Sequence, residues 1–74
     1  MAPTNMEVYR RRADLGQAAL GKRVGVSQPR ISNIEGCNDE SPPLDLLEKI
    51  KKVIKFPGAV EEILQPYVHG QYPD

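Results

Sequence analysis

Between Gln28 and Asn33 the chain places a glutamine, an arginine, a serine and an asparagine within six residues. Glutamine and asparagine amides can pair with adenine N6 and N7 in a DNA major groove. An arginine can pair with guanine O6 and N7, or with a phosphate, and for Arg30 both readings stay open. Ser32 is a short, adaptable hydrogen-bonding group, and Pro29 can pack on a thymine methyl. Asn33 follows Gln28 by five residues, more than one turn if the segment is helical. The chemistry these types suit is the reading of base edges, provided a helix carries them.

Other chemistry finds few residues to work with. The single cysteine, Cys37, has no partner for an internal disulfide, and His69 is the one histidine, so no metal-binding cluster is expected. Asp39 and Glu40 read as part of a solvated loop rather than a catalytic pair. Residues 16–22 match GxxxxGK, but Arg23 stands where a phosphate-binding loop needs Ser or Thr, and no apolar strand precedes it. No enzyme activity, cofactor or metal is expected.

Seventy-four residues suffice for one small domain. No apolar run reaches the roughly 18 residues of a membrane span, and a signal-peptide core is missing, so a soluble, cytoplasmic protein is expected. The formal net charge is zero, yet it is divided. Residues 1–35 hold six basic against three acidic residues, and residues 36–74 hold four lysines against seven acids. That fits a basic working face with an acidic rear, although a plain scatter of charges accounts for the composition equally well.

The elements that must position Gln28 to Asn33 follow from periodicity and caps. Residues 1–5 read as a flexible tail, and residues 6–13 as a short helix with Met6, Val8, Tyr9 and Ala13 on its apolar side. Leu20 and Val24 mark a helix over 17–24, which Gly25 ends. Ser27 caps the next helix, 28–35, which buries Ile31 and Ile34 and stops at Gly36. After a polar loop and Pro42-Pro43, the residues Leu44, Leu47, Ile50 and Ile54 predict a helix over 44–54. Phe56-Pro57-Gly58 closes it, and a last short helix over 59–65 buries Val60, Ile63 and Leu64. Residues 67–74 are expected to be an irregular tail. The expected fold class is all-α, a compact five-helix domain over 6–66.

The two helices over 17–35 meet the demands of a helix-turn-helix. Counting from Gln17, the fifth residue must be small where the helices cross, and it is Gly21. The ninth must turn the chain, and it is Gly25. Leu20, Val24, Val26, Ile31 and Ile34 occupy the positions that must be apolar.

The stretch QAALGKRVGVSQPRISNIEG resembles the core of the Cro/C1-type (lambda-repressor-like, XRE-family) helix-turn-helix proteins. The likeness spans roughly residues 6–64 and is specific over 17–36. It implies a transcriptional regulator, expected to be a repressor, that binds a pseudo-palindromic double-stranded DNA operator as a homodimer in a prokaryotic cell or phage-infected host. It also implies that Gln17 contacts a phosphate and braces Gln28. Gly16, Gly21 and Pro29 depart from the family's commoner residues. Further phosphate contacts are expected from Arg10, Arg11, Lys22 and Arg23, and a dimer interface from Val60, Ile63, Leu64 and Tyr67. The rival expectation is a protein-interaction module or antitoxin-type protein on the same fold, bound to a larger regulatory or toxin partner, with DNA contact weak or lost. Three base-reading side chains on one exposed face favour DNA.

Overall fold

The computed structural model describes residues 3–38 and 42–72. Asp39 and Glu40 lie outside the described residues, as do the ends of both expected tails, 1–2 and 73–74. Among the described residues the chain is all-helical. It comprises α1 (Asn5–Arg12), α2 (Gln17–Val24), α3 (Gln28–Glu35), α4 (Leu44–Ile54) and a three-residue 3-10 turn, Val60–Glu62. That turn stands where a fifth helix over 59–65 was expected. α2 packs on α3 and α4, and α4 also packs on α1 and the 3-10 turn.

α1 begins one residue earlier than its apolar pattern suggested. The Thr4 hydroxyl oxygen accepts from the Glu7 N–H at 3.3 Å, which caps the helix. The first N–H groups of a helix have no partner within it. Here Asn5 donates its own to Gln65 O at 2.9 Å, and Met6 to Ile63 O at 2.8 Å. Asn5 is fully buried and its side-chain amide donates to Glu62 O at 2.8 Å. Residues 3–5 are therefore not a loose tail. Tyr67 N–H donates to Pro3 O at 2.8 Å and Thr4 bridges to Pro66, tying the start of the described chain to residues 63–67.

α2 and α3 keep the expected boundaries because each end has its own device. Gly25 ends α2 at φ +82, in the left-handed region that glycine enters without penalty. Ser27 Oγ accepts from Arg30 N–H at 3.4 Å at the start of α3, and Pro29 fits the first turn. A Cβ on Gly21 would stand 2.5 Å from Val26 O, so the close approach of these segments requires glycine. Leu20, Val24, Ile31 and Ile34 are buried, and Val26 packs against them from a half-buried position. At the end of α3 the left-handed residue is Cys37, at φ +60, rather than Gly36.

In α4 the buried residues are Leu46, Ile50 and Ile54. Leu44, expected in the core, is 58 % exposed, and Leu47 is half-buried. Both sets of residues satisfy a helical period. The position of α1 and α2 decides between them. After α4 the chain lays Phe56 and Tyr72 against Tyr9, with edge-on ring pairs at 5.1–6.3 Å, and Tyr67 joins at 6.4 Å. The expected irregular tail is irregular in path, but through residue 72 it packs on α1.

Candidate nucleic-acid interface

Successive residues of an α-helix are about 100° apart. With Ile31, Ile34 and Glu35 turned inward, Pro29 and Asn33 fall at the centre of the outward side of α3, and Arg30 and Ser32 on its two flanks. Gln28 lies about 140° around the helix from Asn33, at the edge that borders α2. All five side chains are exposed. The expected base-reading set therefore shares one surface, with Gln28 at its margin rather than its centre.

A hydrogen-bonded series holds that margin. Gln28 Nε2 donates to Gln17 Oε1 at 3.3 Å, and Gln17 Nε2 donates to Glu35 Oε1 at 3.3 Å. Glu35 in turn receives Arg10 Nε at 2.7 Å on one oxygen and Arg10 Nη2 at 2.9 Å on the other. Arg10 Nη1 donates to Leu15 O at 2.8 Å, and the Thr4 hydroxyl donates to Glu35 O at 3.2 Å. The two charged side chains are 8 % and 4 % exposed, so this is a buried, two-pronged ion pair. The hydrogen bond and charge of Glu35 hold the Arg10 guanidinium above its usual range, against the opposing effect of burial. The bracing of Gln28 by Gln17, implied by the family resemblance, corresponds to a contact in this structure.

Arg10 itself is a correction. Expected at a phosphate, it is buried with its donors committed to Glu35 and Leu15. The other expected phosphate contacts disperse. Gln17 is half-buried beside Gln28; Arg11 is exposed and pairs with Glu7 at 3.5 Å, one turn back. Lys22 and Arg23 are exposed on α2. Gly21 faces α3, so Arg23, two residues on, points about 200° away from it, toward the opposite side of α2. Among the residues expected at a dimer interface, Ile63 is fully buried in the core and has no surface for a second chain. Val60, Leu64 and Tyr67 are half-buried.

Glu35 went unassigned in the sequence, where it counts as one more surface acid. The signal was its place one turn after Ile31, on the inward side of α3, with Arg10 one turn after the buried Met6. A charge on a buried stripe requires a partner. Cys37 and His69 are exposed, and no group of residues suited to a metal ion exists among those described. Nor is any described helix long and apolar enough to cross a membrane. No protein-family model, curated protein or solved structure matches the chain.

Proposed function

We propose that this chain is a sequence-specific double-stranded DNA-binding transcriptional regulator. In this reading α2, the Gly25–Ser27 turn and α3 form a helix-turn-helix, and α3 enters the major groove. The observation that carries the proposal is the outward side of α3. It presents Arg30, Ser32 and Asn33 to solvent, and a braced Gln28 at its edge, on a helix that its inward side anchors to the core. A glutamine held by a neighbour loses less freedom on binding a base. Gly16 supplies no side-chain cap to α2, which leaves first-turn N–H groups to meet a backbone phosphate. A homodimer on a pseudo-palindrome, acting as a steric repressor in the cytoplasm, completes the proposal.

Selection from random duplex DNA, followed by titration at two salt concentrations, tests it. An enriched pseudo-palindrome with half-sites about one helical turn apart supports the proposal, and its absence overturns it. The salt slope should be shallow. If Lys22 and Arg30 both meet phosphates, the logarithm of the binding constant falls by about 2 per chain for each tenfold rise in salt. Arg30→Ala should cost about 1–3 kcal/mol at one base pair if Arg30 reads guanine, and weaken all sequences alike if it touches phosphate. A protein-interaction module on the same fold is the second reading, favoured by Leu44 and Val68, each 58 % exposed. Selection that enriches nothing, with Leu44→Ser abolishing capture of a defined protein partner, would establish it.

A further inference from the structure

The side of α2 turned away from α3 borders a cleft of about 460 Å³. Tyr9, Leu15, Val53 and Ile54, buried or half-buried, are among its lining residues. Three exposed cations from three separate parts of the chain, Arg12, Arg23 and Lys55, stand around it. No acidic residue lines the cleft among the described residues, although the chain as a whole carries no net charge. Arg23 and Lys55 enter no ion pair among the described residues.

Two of the cations are held in unusual settings. Arg12 Nη2 donates to the Tyr67 hydroxyl at 2.8 Å, and its guanidinium lies 5.0 Å from the Tyr9 ring centre and 5.5 Å from that of Tyr67. Stacking of this kind fixes a long side chain that would otherwise sample many rotamers. Lys55 ends α4 at φ +57, a left-handed position where glycine is the favoured residue.

We propose that this cleft binds a small amphiphilic anion, with a carboxylate, sulfonate or phosphate head on an aromatic or aliphatic body. The cations meet the head, and the apolar residues of the lining meet the body. The volume lies in the range of small-ligand sites, and a discrete cleft suits a compact molecule better than a polymer. The site does not depend on the DNA reading, because no residue of α3 lines it.

The test is an NMR titration of the nitrogen-15-labelled full chain with naphthalene-2-sulfonate, inorganic phosphate and neutral 2-naphthol as separate probes. The sulfonate should produce saturable amide shifts confined to residues 12–15, 23 and 53–55, with a sub-millimolar dissociation constant. Phosphate and 2-naphthol should each bind at least about tenfold more weakly. Arg23→Gln and Lys55→Gly should each weaken the sulfonate by about tenfold. Lys55→Gly should also raise the unfolding midpoint, because it relieves the left-handed lysine, so lost binding cannot be ascribed to lost fold. Shifts that are absent, spread over the surface, or unchanged in both variants overturn the proposal. So does phosphate or 2-naphthol binding as tightly as the sulfonate. Duplex DNA or an oligoglutamate peptide moving the same amides more tightly would reassign the cleft to a macromolecular contact.

Discussion

The α2–α3 pair and the stretch from Phe56 to Tyr72 are both held firmly, by different means. Within α2–α3 most restraints act between residues close in the chain: the Gly25 turn, the Ser27 cap, the Gly21 approach to Val26. The later stretch has a single 3-10 turn and relies on residues some fifty or more positions away. Asn5 and Met6 donate to its carbonyls, Tyr9 gathers its rings, and Arg12 bonds to Tyr67. Local restraints leave α3 free to commit its outer side to solvent. Distant ones make the later stretch a clasp across α1. A buried long-range tie, Arg10–Glu35, joins the α2–α3 pair to α1, and it reaches the edge of the outward side of α3 through Gln17 and Gln28.

Breaking that tie should have the largest effect. Glu35→Ala leaves a buried guanidinium without its partner, and a loss of about 3–5 kcal/mol is expected in urea unfolding. For a domain of this size that is a large fraction of the total stability. Removing both charges, with Arg10→Met and Glu35→Leu together, should recover most of it. A double variant as unstable as Glu35→Ala would mean that the pair is not the source.

Gly21→Ala probes the local restraints. Forcing the added Cβ against Val26 O costs about 1–3 kcal/mol. Alanine's better helix propensity offsets about 1 kcal/mol of this. A lower thermal midpoint is expected, and a variant more stable than the parent would remove the close approach as a determinant. Ser27→Ala should lose about 0.5–1 kcal/mol, at the weak end for a cap because the 3.4 Å bond is long and exposed. Amide exchange at the first turn of α3 would show it directly. The smallest effect belongs to the clasp. Tyr67→Phe keeps the ring and loses the oxygen that receives Arg12, for about 0.5 kcal/mol in chemical denaturation. A larger loss there would mean that one hydrogen bond, rather than the aromatic packing, carries the stretch.

How much was legible follows the same division. The ends of α2 and α3 were readable to the residue, because glycine at φ +82 and a serine cap act within a few positions. The exposed set on α3 was readable from periodicity once its buried isoleucines were known. Arg10 was misread as a surface cation because its partner lies 25 residues away. The fifth helix was overextended because Val60, Ile63 and Leu64 have helical spacing, while Ile63 O and Gln65 O are drawn to the start of α1.

By itself, then, the sequence determined an all-helical chain, the turn between α2 and α3, and the residue types that α3 offers to solvent. These depend on backbone propensities and caps that operate within a turn or two. Tertiary structure alone decided that Leu46 rather than Leu44 enters the core, that Arg10 and Glu35 pair, and that the chain past α4 clasps α1. In each case local periodicity did not separate the alternatives, and burial against a distant segment made the choice.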